Sequence, residues 1–514
     1  MSAAAGRRLA ERGEFEMEAQ YYLGIDQGTT GTTAILFDSA WQVAARGYCG
    51  TQLLYPRDGW VENDADMIWL AVLRSVSQAM EAVSAQPGQI RSIGLNHEGE
   101  TVVIWDRETG EPMCRSIGWQ DRRTARCADL MADRFNPLVR EKTGLMIDSY
   151  FSATKLEWML DHVENAREYL RQGRLLAGTM DAWIIWKMTG GKAHITDAST
   201  ASRTMLYDVE AGDWCDELID LFELDRSMLP EIRDSIVSGV YADPDAFLGI
   251  RAPVSGVLVD QQAALLGQAC ITPGSVKTTY GTGCFMLMNT GESMIRSNNG
   301  LLPTVAWRIG GQTTYAIDGG VYITGAATKW IQEGLELVNS PAETERLAFS
   351  VSSNGGVYFV PAFTGLAAPH WDSYARGMMI GITGATKKAH VVRATLESTA
   401  YQVRDVLDVM RQESGVSVPV MRCNGRATEN RFLMQFQADI LNIPLEIPEN
   451  QETTALGAAF LGSVGLGDYG GLEDLNGIWR CARCYEPRMR EEQRGYLLYH
   501  WHRAIERAKY WSEE

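Results

Sequence analysis

Tyr21-Tyr22-Leu23-Gly24-Ile25-Asp26-Gln27-Gly28-Thr29-Thr30-Gly31 is followed by the apolar run Thr32 to Asp38. Five strand-forming residues, a tight glycine-threonine turn and a returning strand spell a β-hairpin. The same device recurs half a chain later. Val276 to Tyr280 reads as a strand, Gly281-Thr282-Gly283 as a turn, and Cys284 to Thr290 as the return. Two such hairpins predict two similarly built halves with a cleft between them.

The rest of the chain alternates strand-like and helical segments, the pattern of an α/β architecture. Leu396, Ala400, Val403, Leu407 and Met410 recur at helical spacing, and Gly415 lies just past them as a stop. Thr453 to Gly467 is short, apolar and glycine-rich, which reads as a buried helix packed closely against its neighbours. Asp260-Gln261-Gln262 precedes the apolar run Ala263 to Leu266, so Asp260 falls at a helix N-terminus. A domain boundary is expected just after that helix, near Gly267. This gives a flexible leader over residues 1–19, an N-terminal domain over 20–267 and a C-terminal domain over 268–514.

A chain of 514 residues exceeds what one core supports, and two domains of roughly 250 residues each are expected. The formal net charge of -18 argues against nucleic acid as a partner, since a phosphate-backbone binder needs a positive footprint. It also means that a phosphorylated ligand must be held by local dipoles and a metal ion. No apolar run reaches the ~18 residues of a membrane span. Residues 1–19 carry Arg7, Arg8 and Arg12 with several glutamates and no apolar segment, unlike a secretory signal. Nine scattered cysteines suggest reduced thiols and a cytoplasmic location. Cys481-x-x-Cys484 stands alone, without the second pair that a zinc site needs.

Phosphate needs several donors at close range, and a glycine-rich turn lets backbone N–H groups converge. Thr29 and Thr30 add hydroxyls, and Asp26 is an oxygen ligand suited to Mg²⁺. No Gly-x-x-x-x-Gly-Lys-Ser/Thr occurs, which excludes a P-loop enzyme. Asp260 reads as an N-cap or as the carboxylate that accepts a hydroxyl proton during phosphoryl transfer to an alcohol. Glu100, Trp119 and Tyr150 supply the acceptor and aromatic wall that a polyol requires.

At this point the chain resembles the FGGY carbohydrate kinases, and among them the glycerol kinases most. The resemblance runs from Tyr21 to the C-terminus. It rests on Asp26-Gln27-Gly28-Thr29-Thr30, Tyr150-Phe151-Ser152-Ala153-Thr154-Lys155, Thr204-Met205-Leu206, Asp260-Gln261-Gln262-Ala263-Ala264-Leu265 and Tyr280-Gly281-Thr282-Gly283-Cys284-Phe285. Pro361-Ala362-Phe363-Thr364-Gly365 and Phe432-Leu433-Met434-Gln435-Phe436-Gln437 continue it. The resemblance implies two ribonuclease-H-like domains of the actin and Hsp70 type, with an interdomain active-site cleft that takes MgATP and a small polyol. It also implies a homo-oligomer, dimer or tetramer. Carried over by position, Asp260 is the general base. Glu100, Tyr150 and Gln261 bind substrate hydroxyls, and Trp119 and Phe285 form the apolar wall. Thr29, Thr30, Gly31, Thr282 and Gly325 line the phosphates, Asn430 approaches the adenine and Asp26 serves the metal.

Four positions depart from the glycerol kinase pattern. Where that pattern reads Asn-Gln-Arg-Glu-Thr, this chain reads His97-Glu98-Gly99-Glu100-Thr101. Loss of the arginine leaves a substrate oxygen less well paired, by about 1–3 kcal/mol, and frees space. A longer polyol could use that space, with Glu98 accepting from the added hydroxyl. Alternatively, a neighbouring side chain or water fills it and glycerol still binds. On the nucleotide side the departures are Thr33, Lys329 and Arg426, of which Lys329 could restore positive charge near the phosphates. The segment Asp243 to Ile250 lacks the glycine-rich loop that binds fructose 1,6-bisphosphate in some relatives. Three readings follow: a glycerol-phosphorylating enzyme, a kinase for a four- or five-carbon polyol or ketose, and a nucleotide-dependent switch without turnover. Retention of both Asp26 and Asp260 argues against the switch.

Overall fold

The computed structural model describes residues 19–366, 368–370 and 372–512. The expected leader, residues 1–19, therefore lies outside the described residues except for Ala19. The opening segment forms the hairpin its sequence dictates. Tyr21–Gly28 pairs antiparallel with Gly31–Phe37, which pairs with Val43–Gly50. Ile90–His97 then adds in parallel to the first strand, and Val254–Val259 in parallel to Ile90–His97. The result is a five-stranded sheet.

The second half repeats this topology. Val276–Tyr280 and Cys284–Gly291 form the hairpin, Gln312–Val321 extends it antiparallel, and Met421–Asn424 and Leu445–Pro448 add in parallel on the other side. Leu302–Ile309 and Cys481–Tyr485 complete a seven-stranded sheet. Both halves thus place a glycine-threonine turn at the end of a central strand, beside the C-terminal ends of parallel neighbours. That edge is where α/β sheets bind ligands.

The two halves share a core. The helix Thr453–Gly465 comes late in the chain but packs on the first sheet. It lies across a row of glycines, because Gly24 pairs with Gly94 and Gly94 pairs with Gly256 in adjacent strands. A Cβ on Gly24 would meet Ala455 O at 2.6 Å, one on Gly94 would meet Ala458 O at 2.2 Å, and one on Gly256 would meet Ala458 O at 2.4 Å. The same helix crosses Asp260–Gly267 at a second glycine contact, where a Cβ on Gly457 would fall 2.0 Å from Ala263 O. Leu258, Ala263 and Leu265 of the first half join Leu287, Ala306, Ala455 and Phe460 of the second in one buried cluster.

The long helix Lys388–Ser414 ends where its sequence predicts, with Gly415 left-handed at φ 66°. Among the described residues no helix is long and apolar enough to cross a membrane. All nine cysteines are free. Cys481 and Cys484 are exposed on the strand Cys481–Tyr485. A register shift in that strand sets the two cysteines opposite Pro448 and Glu446, and among the described residues no group of three or more His, Cys, Asp or Glu side chains forms there to hold a metal.

The glycine row makes a specific demand on stability. Gly94→Ala is expected to destabilise the fold by about 3 kcal/mol, since backbone must move to admit the methyl. Gly88→Ala, where nothing lies within 4 Å, is expected to stay within about 0.5 kcal/mol. Urea unfolding of both variants checks this.

Candidate active site

The first turn is built around unpaired negative charge. Asp26 ends the strand core between Thr33 and Asn96 of the neighbouring strands. Among the described residues no cation lies within ion-pair distance of it. Burial pushes its pKa up to about 7, and the carboxylates of Asp260 and Glu452 push in the same direction. Thr29, in the turn, accepts a hydrogen bond from Trp119 Nε1 at 3.0 Å. Thr30 is exposed, and its carbonyl accepts from Thr51 N at 2.9 Å. Gly31 is buried with Cys49 O and Tyr48 Oη each 2.7 Å from where a Cβ would stand, so this glycine serves the approach of the third strand. Thr33 is buried on the second strand.

Asp260 opens the helix Asp260–Gly267 and takes the Gln261 N–H at 2.6 Å. Its pKa is pushed up to about 6 by burial and by Glu100, with Lys277, the Gln261 N–H and His97 pulling it down. The loop after Ile90–His97 carries Glu98, Gly99 and Glu100, all buried. Burial raises Glu98, against hydrogen bonds from Thr29, Gln27 and Thr101. Glu100 accepts from Arg203 Nε at 2.8 Å. Trp119 and Tyr150 stand edge to face at 5.9 Å, and the Arg203 guanidinium lies 5.8 Å from the Tyr150 ring. Phe285 covers Gly320, two residues from Asp318. The structure therefore brings Asp26, Thr29, Glu98, Glu100, Trp119, Tyr150, Asp260 and Gln261 into one constellation.

The space beside Gly99 is occupied. A Cβ there would meet Val259 Cγ1 at 3.2 Å and Arg203 Cγ at 3.7 Å. Arg203 brings a guanidinium to the neighbourhood that lost one at position 99. His97 is not free for a ligand. It is fully buried, with Nδ1 2.8 Å from Glu98 O and Nε2 2.9 Å from Thr200 Oγ1.

On the nucleotide side, Gly325 packs against the second turn, where a Cβ would fall 2.3 Å from Gly281 O. Thr282 is exposed at that turn and its carbonyl accepts from Ala326 N at 3.0 Å. Gly425, at φ 95°, presses on Tyr280, so the Arg426 turn sits beside the same strand end with Arg426 exposed. Lys329 is exposed and pairs with Glu333 at 3.6 Å. Asn430 caps the helix Arg431–Leu441 by accepting from Leu433 N at 3.0 Å, and donates to Thr344 Oγ1 at 3.1 Å. Both polar ends of its side chain are thus committed to local structure.

Sequence reading missed four residues that organise the site. Arg203 sits beside the recognised Thr204-Met205-Leu206. Lys155 donates to Glu100 O at 3.0 Å and Tyr150 O at 2.7 Å, joining two substrate-side segments. Asp318 lies 3.6 Å from Arg203. Lys277 is buried under Asp260 and Gln261. A lysine inside a central strand next to a glycine-threonine turn was the available signal for Lys277.

A pair of actin-like α/β domains with two buried carboxylates, Asp26 and Asp260, beside a glycine-threonine turn suits a phosphotransferase with an alcohol acceptor. The chain belongs to the FGGY family of carbohydrate kinases, whose N-terminal domain matches residues 21–267 and whose C-terminal domain matches residues 276–466. It is 47% identical over 495 residues to glycerol kinase 2 of Thermotoga maritima, covering 96% of this chain and 100% of that one. It is 46% identical over 492 residues to the glycerol kinase of Geobacillus kaustophilus, covering 95% and 99%. The crystal structure of Plasmodium falciparum glycerol kinase with ADP superposes with a TM-score of 0.90 at 30% identity, covering 95% of this chain and 98% of that one.

The raised Asp260 carboxyl has two consequences. Activity is expected to fall as pH drops through about 6, because the protonated acid cannot accept a hydroxyl proton. Stability runs the other way. The folded pKa of about 6 exceeds the unfolded 3.8, so burying this charge costs stability above the folded value, and the cost disappears as pH falls from about 6 towards 3.8. Asp260→Asn is therefore expected to raise Tm by a few degrees at pH 7.5 and by less at pH 5, in parallel thermal melts.

Proposed function

We propose that the chain transfers the γ-phosphoryl group of ATP to a terminal hydroxyl of glycerol. The observation that carries this reading is Asp260 facing Asp26 beside the first turn, with Glu100, Arg203, Gln261 and the Trp119–Tyr150 wall around it. Glycerol offers three hydroxyls that both donate and accept, and a short C–H face. Glu100 accepts from one hydroxyl, Arg203 and Gln261 donate to another oxygen, and the aromatic rings take the C–H face. Full-length likeness to glycerol kinases supports the same choice.

In the proposed reaction the substrate oxygen forms the new O–P bond as the bond between the γ-phosphorus and the β–γ bridging oxygen breaks, releasing ADP. The hydroxyl proton passes to Asp260. Magnesium fits the donor set, because Asp26 offers unpartnered oxygens in a net negative pocket. Among the described residues no three His, Cys, Asp or Glu side chains gather into a cage. Such a cation would be held by Asp26 with retained water and phosphate oxygens. When bound, the ion neutralises charge on the phosphate oxygens. Thr29, Thr30, Thr282 and Gly325 line the phosphates, while Arg426 borders the base.

A second reading, a four-carbon polyol, draws on Glu98. That carboxylate is buried near Asp260 and has no cation partner among the described residues, so it can accept from an added hydroxyl.

ADP release across glycerol, erythritol, threitol, xylitol and xylulose separates the readings. Turnover confined to glycerol is the expected result, and activity only on longer substrates would select the second reading. Asp260→Asn is expected to lower kcat by about 10³-fold while retaining nucleotide binding. Unchanged turnover in that variant would remove Asp260 from the base role.

A further inference from the structure

Lys277 is fully buried on the strand Val276–Tyr280, yet its ammonium reaches across to the other half of the molecule. There it donates to Gln261 Oε1 in a very short contact. A lysine ammonium carries donors only, so the face of the Gln261 amide turned towards it must be the oxygen. The Gln261 Nε2 then points away from Lys277, and it has no hydrogen-bond partner among the described residues.

The ammonium is itself held. It donates to Thr279 Oγ1 at 3.3 Å, Thr279 donates to Asn424 Oδ1 at 2.9 Å, and Asn424 Nδ2 donates to Thr453 Oγ1 at 2.9 Å. This directed chain ends at the first residue of the helix that joins the two halves. The charges alternate around it. Glu100 pairs with Arg203, Arg203 lies 3.6 Å from Asp318, and Lys277 is attracted by both Asp318 and Asp260.

We propose that Lys277 is a positioning residue that locks the Gln261 amide with its N–H donors towards the substrate, acting through Gln261 rather than on the reacting atoms. The inference rests on the reading of Gln261 as a substrate-side residue of a polyol kinase. An amide free to flip would present oxygen to an acceptor half of the time. It would also crowd Glu98, Glu100 and Asp260 with a further acceptor. Burial lowers the Lys277 pKa, and the two aspartates oppose that shift.

The test is a double-mutant cycle on the full chain. Lys277→Met is expected to raise the glycerol KM about tenfold and to leave the ATP KM within about twofold, the split expected when one donor to substrate is lost. In a Gln261→Leu background the same change should add less than about twofold, because both substitutions remove one interaction. Lys277→Gln, which keeps polar packing should the methionine variant not fold, is expected to show a smaller rise with the same non-additivity. Independent, multiplying effects, an unchanged glycerol KM, or an equal rise in both KM values would each overturn the proposal. Wild-type turnover is measured first. If glycerol is not turned over, the substrate reading fails and the cycle is run on whichever polyol releases ADP. Silence on every polyol overturns both.

Discussion

Everything in this molecule depends on a helix lying directly on a sheet. Thr453–Gly465 can sit on three strands only because Gly24, Gly94 and Gly256 form a row without side chains, and because Gly457 meets the Asp260–Gly267 helix in the same way. Backbone contacts at this range leave little tolerance, so the helix acts as a fixed axle between the halves. The elements it touches are those that carry the site. Gly24 is two residues before Asp26, Gly94 lies in the strand that leads to Glu98 and Glu100, and Gly256 lies in the strand that ends at Asp260. One packing constraint thereby fixes four carboxylates relative to one another.

Those carboxylates are a liability that the fold manages. Asp26, Glu98, Glu100, Asp260 and Asp318 converge on one cleft in a chain already at -18. Arg203 and Lys277 are threaded between them: Arg203 meets Glu100 and Asp318, and Lys277 is attracted by Asp260 and Asp318 without an ion pair to either. Asp26 and Glu98 make no ion pair among the described residues, and burial pushes both up, Asp26 to about 7 with Asp260 and Glu452 adding to the shift. A divalent ion arriving with a nucleotide would relieve that charge at the turn. The site is thus short of positive charge beside the first turn.

The fold was legible because its signals are local. A glycine-threonine hairpin is specified by a few consecutive residues, and its repetition announced two related halves. Asp260 at a helix start and Gly415 at a helix stop were equally local. What stayed hidden was long-range. Arg203 acts on Glu100 across half a domain, and Lys277 acts on Gln261 across the interface, and neither spacing has a periodicity. The glycine row is also invisible in sequence, since Gly24, Gly94 and Gly256 become neighbours only through parallel pairing. Asn430, assigned to the adenine by resemblance, also has a structural task that sequence did not show, since its side chain caps a helix and donates to Thr344.

Gly99 brings these strands together. On sequence it is a gap where a charged donor is expected, and the natural inference is a larger pocket. The structure places Val259 and Arg203 against that position, with Arg203 already bonded to Glu100. A side chain at position 99 would press on Val259 and start out in contact with the Arg203 stem. A guanidinium is thus supplied near the loop by another segment, aligned by Glu100 and Asp318. Recognition of a hydroxyl depends on where a donor ends, not on which strand it begins. A substitution that looks like a loss of function in the sequence is, in space, compatible with a relocated one. On the proposed reading, the choice between a three-carbon and a four-carbon substrate falls to Glu98, a buried acid held by neutral donors and by no ion pair among the described residues.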